Sequence, residues 1–203
     1  QSLGIVGTGA MGRGIAQIAA QAGLTVHLFD TNAQAVAAAR QYLQDTFAKL
    51  ADKGKISAAD SDAALARVKA AGALEDLAGC DMVVEAIVER LDVKRELVAK
   101  LEAILREDAV IASNTSSLSI TAIAVGAKRP GRVVGYHFFN PVPLMKVVEV
   151  IAGLKTHPAI CQDLAAYATQ MGHKPVQAQD TPGFIVNHAG RGRSEEHTSE
   201  LQS

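Results

Sequence analysis

The sequence predicts an α/β fold, a doubly wound and mostly parallel sheet covered by helices on both faces. Three observations carry that expectation. Apolar runs of strand length alternate with helical stretches along the chain, the order that builds parallel sheets. The first run is followed at once by Gly7, Gly9 and Gly12 in a G-x-G-x-x-G pattern that opens a helical stretch, which is the context that motif needs. The second run ends in Asp30, 18 residues after Gly12, where a dinucleotide-binding unit places its ribose-binding acid.

Taken in order, Leu3–Val6 reads as a strand, Met11–Ala22 as a helix and Thr25–Phe29 as a second strand. Ala33–Leu50 is long, Ala-rich and helically spaced, and a helix start at Ser57-Ala-Ala-Asp60 follows the charged turn around Gly54. The two helices form a hairpin inserted after the second strand. Met82–Ala86 is a strand, Asp92–Leu105 a helix, Val110–Ala112 a strand and Ser119–Val125 a short helix. Val133–Phe138 and Lys146–Ile151 are strands, Pro158–Met171 a helix and Pro175–Ala178 a last short strand.

The bulk numbers exclude several classes of function. The 203 residues carry 48% hydrophobic and 20% charged side chains with a net charge of −1, so a core is available and no basic surface asks for nucleic acid. No apolar run reaches the roughly 18 residues of a membrane span. The N-terminus opens into a strand-like run with none of the features of a signal peptide. Cys80 and Cys161 have neither metal nor disulfide spacing, and no His/Cys/Asp/Glu set suggests a metal. The expectation is a soluble cytoplasmic protein.

In the glycine loop, Gly7 permits the tight turn, Gly9 lets the backbone approach a pyrophosphate, and Gly12 lets helix and strand pack closely. The N–H groups at the helix start then face the phosphates. Asp30 would accept hydrogen bonds from the adenosine ribose and repel a 2′-phosphate. Thr31 and Asn32 follow it and no Arg is adjacent, which favours NAD over NADP.

"GYHFFNPVPLMKVVEV" places His137 at the end of one apolar strand and Glu149 inside the next. A carboxylate on an apolar face is costly unless paired. Imidazole suits as the partner, because a carboxylate on one ring nitrogen fixes the tautomer and leaves the other to act as general base. "IASNTSSLSI" is rich in hydroxyl and amide groups, which either cap the next helix or turn one hydroxyl toward a substrate. Glu85, Glu89 and Lys94 stand at and beyond a strand end; the plain account of them is acids at a helix start and a solvated Lys.

Five separated segments then identify a family resemblance: the Gly7–Ala16 loop, "VVEAIVERLDVKREL", "SNTSSLSI", "HFFNPVPLMKVVEVI" and "DTPGFIVN" at Asp180–Asn187. In this order they are similar to the NAD-binding part of the 3-hydroxyacyl-CoA dehydrogenases, over residues 2–192. The resemblance implies a Rossmann-type fold and oxidation of an L-3-hydroxyacyl-CoA to the 3-ketoacyl-CoA, as in fatty-acid β-oxidation, with NAD as acceptor. By position it implies His137 as general base, Glu149 as its orienting partner, Ser116 on the reacting oxygen and Asn187 helping to hold the site together. On the cofactor side it implies Gly7, Gly9, Ala10, Met11, Gly12, Asp30, Glu89, Lys94, Ser116 and Asn140. In the hairpin, Thr46 and Lys53 would contact CoA.

The family continues past this point into an all-helical domain of about a hundred residues, an ordinary domain size, which completes the acyl pocket and forms the dimer. That domain is missing here, so a homodimer is expected of a full-length parent and not of this fragment. The last eleven residues, "RSEEHTSELQS", match the translation of a sequencing-library adapter. Residues 193–203 are therefore read as a non-native tail and residues 1–192 as the NAD-binding domain. Two other readings remain open. A small β-hydroxyacid dehydrogenase shares the glycine pattern but relies on a catalytic Lys and would not need the His137/Glu149 pair; a non-catalytic NAD-binding module would be either a relative that has lost activity or this fragment alone.

Overall fold

The computed structural model describes residues 1–180. Eight strands form one sheet in the order β3-β2-β1-β4-β5-β6-β7-β8: β1 is Ser2–Val6, β2 Thr25–Phe29, β3 Val68–Ala70, β4 Met82–Glu85, β5 Val110–Ser113, β6 Val133–Phe138, β7 Val147–Ala152 and β8 Lys174–Gln179. The first six are parallel; β7 pairs antiparallel to β6, and β8 parallel to β7. This is the doubly wound sheet expected. The strand order reverses between β1 and β4, the switch point where such sheets open a crevice at their carboxyl edge.

The central strands are buried on both faces; Met82–Glu85 has no exposed position, as a parallel strand covered by helices requires. One core layer joins helices α1 (Ala10–Gln21), α2 (Ala33–Asp52), α3 (Ala58–Arg67) and α6 (Pro158–Gln170) to the sheet through Leu43, Phe47, Tyr136, Phe138 and Leu164. The other joins α4 (Leu91–Ile104) and the short α5 (Ile120–Ile123) to the opposite face through Leu97, Leu101, Ile111, Val133 and Ile151. Each large aliphatic side chain buried this way contributes about 1.5–3 kcal/mol. Val133 and Ile151 place the odd-numbered side chains of β6 and β7 on the α4–α5 face, so His137 and Glu149 also point that way.

Helix starts follow local chemistry. The Asn32 side chain accepts the Gln34 N–H at 3.0 Å and the Ser57 hydroxyl accepts the Asp60 N–H at 3.0 Å, capping α2 and α3. The hairpin they form is the crossover between β2 and β3, and it ends in an edge strand, Val-Lys-Ala, that the sequence reading lacked. The helix expected at Ser119–Val125 is a single turn, Ile120–Ile123.

Candidate active site

The turn after β1 is built by its glycines. Gly7 has φ +94°, a left-handed conformation that disfavours side chains. A Cβ at Gly12 would stand 1.8 Å from the Gly7 carbonyl oxygen, so only glycine allows α1 to begin this close to the strand. At Gly9 an added Cβ would meet no atom within 4 Å; the space above it opens into the crevice. No side chain caps the start of α1, leaving its first backbone N–H groups for a ligand. Such a terminus fits a pyrophosphate.

Asp30 closes the same wall. Its Oδ2 accepts the Thr8 N–H at 2.9 Å and the Thr8 hydroxyl at 3.2 Å, and its Oδ1 accepts the Asn32 N–H at 3.0 Å. Burial pushes this carboxyl up, but the N–H groups of Asn32 and Thr8 and the Thr8 hydroxyl outweigh it and hold the pKa below its ordinary value. An anion is therefore fixed at the end of β2. A cavity of about 680 Å³ runs from Gly7, Gly9 and Asp30 past Leu74, Ile87 and Leu97. It has the size and the mixed apolar and polar lining of a nucleotide site.

A second cavity, of about 330 Å³, shares Ala86 and Ile87 with the first and continues to Met11, Glu89, Ser116, His137, Phe139 and Asn140. His137 and Glu149 face each other as a direct pair of the antiparallel β6–β7 ladder. His137 Nδ1 lies 3.2 Å from Glu149 Oε1, with both side chains buried. Glu149 Oε2 is buried and has no hydrogen-bond partner among the described residues. Phe139 packs on the His137 ring with centroids 4.5 Å apart.

Ser116 lies beyond the end of β5. Its N–H and its hydroxyl both donate to Glu89 Oε2, at 2.9 and 3.1 Å, while the Thr115 hydroxyl donates to Glu89 Oε1 at 2.7 Å. Burial raises the Glu89 pKa, but the Thr115 hydroxyl, the Ser116 N–H, the Lys94 ammonium and the Ser116 hydroxyl together bring it below its ordinary value. Lys94 corrects the plain sequence account, for it is not solvated. Its side chain is 2% exposed, and its Nζ sits 2.8 Å from both oxygens of the buried Glu85 and 3.5 Å from Glu89 Oε1.

The structure thus gathers Met11, Glu89, Lys94, Ser116, His137 and Asn140 around one cavity, and Gly7, Gly9 and Asp30 around its neighbour. Ala10 opens α1 and Gly12 is buried within its first turn. Thr46 lies on α2 and Lys53 is exposed at its C-terminal end; neither lines the cavity of His137. Asn187 and the tail at 193–203 lie outside the described residues. Sequence reasoning missed Asn114, whose side-chain oxygen accepts the Phe138 N–H at 2.9 Å and ties the ends of β5 and β6 together. It also missed the buried Glu85 cluster. An acid ending an otherwise apolar strand, nine residues before a lysine, was the available signal.

Fold and site together define a dinucleotide-binding α/β protein with an ionisable pair at the far end of its crevice. A family model described as "3-hydroxyacyl-CoA dehydrogenase, NAD binding domain" matches residues 2–181, and the chain belongs to that family. It is 43% identical over 183 residues to the probable 3-hydroxybutyryl-CoA dehydrogenase of Bacillus subtilis, covering 90% of this chain and 64% of that protein. It is 40% identical over 191 residues to the 3-hydroxyadipyl-CoA dehydrogenase of Escherichia coli K12, covering 94% and 40%. The crystal structure of an E. coli 3-hydroxybutyryl-CoA dehydrogenase superposes with a TM-score of 0.95 at 39% identity, covering 100% of this chain and 43% of that one. The chain therefore spans between 40% and 64% of the length of these relatives. Among the described residues no helix is long and apolar enough to cross a membrane.

Proposed function

We propose that this chain is the NAD-binding half of an enzyme that oxidises L-3-hydroxyacyl-CoA to 3-ketoacyl-CoA. The observation that carries the reading is the His137–Glu149 pair, 3.2 Å apart, in a cavity that adjoins the glycine-loop crevice through Ala86 and Ile87. NAD, when bound, accepts the hydride. Glu149 accepts the Nδ1–H of His137, so Nε2 is the nitrogen that takes the 3-hydroxyl proton. The Glu149 carboxylate then balances the imidazolium, which a buried ring needs. The Ser116 hydroxyl would turn its proton from Glu89 Oε2 to the reacting oxygen while the Ser116 N–H stays on that carboxylate, and Asn187 would help to hold that arrangement.

The start of α1 with Gly7, Gly9, Ala10, Met11 and Gly12 would hold the pyrophosphate, and Asp30 the adenosine ribose. Glu89, Lys94, Ser116 and Asn140 flank the reactive end. Lys94, with its charge balanced by Glu85, would act there from the wall of the cavity. Thr46 and Lys53 on the hairpin would contact CoA. The identities of 40% and 43% with dehydrogenases named for 3-hydroxyadipyl-CoA and 3-hydroxybutyryl-CoA support this reading over one for small β-hydroxyacids.

The enzyme would be a cytoplasmic homodimer, assembled through a helical domain that follows the present chain. Residues 193–203 would be adapter-derived. The test is reduction of acetoacetyl-CoA by NADH, followed at 203 residues and in the enzyme with its helical domain restored. The restored enzyme should turn over, and the present chain should bind NADH while remaining nearly inactive. Restored enzyme in which His137→Ala keeps most of its turnover would rule the assignment out.

A further inference from the structure

Glu85 is a buried carboxylate that accepts four hydrogen bonds, and the proposed chemistry uses it only to balance the charge of Lys94. It ends β4 with 1% exposure. Oε1 accepts the Lys94 ammonium at 2.8 Å and the Ser113 hydroxyl; Oε2 accepts Lys94 again at 2.8 Å and the Ile87 N–H at 3.1 Å. Those contacts reach three separate segments: the crevice wall after β4, the first turns of α4, and the end of β5. The Ser113 oxygen in turn accepts the Thr115 N–H at 3.2 Å, bending the chain toward Thr115 and Ser116. Both of these donate to Glu89, which is the second carboxylate beside Lys94.

Lys94 therefore lies between two acids but is held by one, 2.8 Å from Glu85 against 3.5 Å from Glu89. That asymmetry matters, because the ammonium and the Thr115 hydroxyl share Glu89 Oε1 while the two Ser116 donors hold Oε2, so a carboxylate drawn toward Lys94 leaves Ser116. A buried cation stripped of its nearest anion moves toward the next one. Without the Glu85 charge, Lys94 would close on Glu89 and draw it away from Ser116.

We propose that Glu85 is a positioning residue for the reaction: by holding Lys94 and Ser113 in one buried cluster, it keeps Glu89 on the Ser116 N–H and so places Ser116 in the cavity that His137 lines. The proposal deepens the dehydrogenase reading and rests on it. Glu85 lines neither cavity of the crevice; it acts through Lys94 and Glu89.

Two measurements test it. The first is an amide spectrum of the 203-residue chain with and without NADH, which needs no turnover. The Ser116 N–H, 2.9 Å from a carboxylate oxygen, should resonate downfield in the wild type and shift upfield in Glu85→Gln. The second is kinetic, in the enzyme with its helical domain. Glu85→Gln should lower kcat by between about tenfold and a hundredfold, the range that misplacing a reacting group produces. The double variant Glu85→Gln/Ser116→Ala should be no slower than Ser116→Ala, since non-additivity marks residues acting through one contact.

An unmoved Ser116 amide, or kcat losses that multiply in the double variant, overturns the proposal. If Glu85→Gln fails to fold, Ser113→Ala keeps every charge and removes one arm of the cluster. It should shift the same amide and lower kcat by at least threefold, and an unchanged amide again overturns the proposal. Wild-type enzyme that folds and binds NADH without reducing acetoacetyl-CoA would refute the dehydrogenase reading instead, leaving the amide arm to judge Glu85 alone.

Discussion

Thr8 gives both its backbone N–H and its hydroxyl to one oxygen of Asp30, at 2.9 and 3.2 Å. This joins the glycine turn after β1 to the end of β2, where the proposed pyrophosphate and ribose subsites lie. Replacing Asp30 with Ala should weaken NADH binding at least tenfold and NADPH binding much less, because the lost carboxylate also removes the repulsion of a 2′-phosphate. Fluorescence titration with both nucleotides measures the ratio. An unchanged preference would contradict the role given to Asp30.

The glycines of the turn should separate folding from binding. Gly12→Ala forces a Cβ to within 1.8 Å of the Gly7 carbonyl and should destabilise the domain by about 3 kcal/mol or more, at the upper end of overpacking effects. Gly9→Ala meets nothing within 4 Å. It should leave the melting temperature within about 2 °C, the shift of a few tenths of a kcal/mol, yet weaken NADH binding tenfold or more. Thermal melts and titrations on the two variants check the contrast.

Glu149→Gln keeps the shape of the side chain and removes the charge that balances a protonated His137. In the enzyme with its helical domain, kcat should fall by about 10²–10⁴-fold, the scale of general-base contributions, with NADH affinity unchanged. Stability should hold or rise, because Glu149 Oε2 is a buried acceptor with no partner among the described residues. A large loss of melting temperature would count against this account.

Glu89 and Asp30 should make the domain acid-sensitive. Both folded pKa values lie below the ordinary ones: burial opposes the shift, and the hydrogen bonds from Thr115, Ser116, Asn32 and Thr8 prevail. Between folded and unfolded pKa the unfolded chain binds more protons, so stability rises with pH there. The contribution is fully present above about pH 4.3, the ordinary Glu value, and is lost as pH falls through the folded values. Melting curves of wild type and Glu89→Gln should therefore converge as pH drops below about 4, on the same reference scale. A gap that stays constant would refute the sign.

Most of the fold was legible because its signals are local. Thr25–Phe29 and Val133–Phe138 were read with their observed bounds, being apolar, β-branched and flanked by breakers. The edge strand Val68–Ala70 was not, since three residues directly after a helix give no period to detect. For the site, the sequence offered His137 and Glu149 as an uneasy pair in apolar surroundings, but not their register; that depends on β7 returning antiparallel beside β6. Lys94 looked solvated because its partner, Glu85, ends a different element and is reached only when α4 lies back on the sheet. Long-range pairing of charges leaves little trace in spacing.

The antiparallel return of β7 has a consequence for what can vary. His137 and Glu149 occupy one rung of a ladder that runs from Val134 opposite Ala152 to Phe138 opposite Val148, so backbone hydrogen bonds hold the dyad together. The eight residues from 139 to 146 that join the strands are relieved of that duty. The exposed Leu144 and Met145 among them can change composition while the His137–Glu149 pair stays in place. A single-residue slip inside either strand, by contrast, would turn one partner to the opposite face of the sheet.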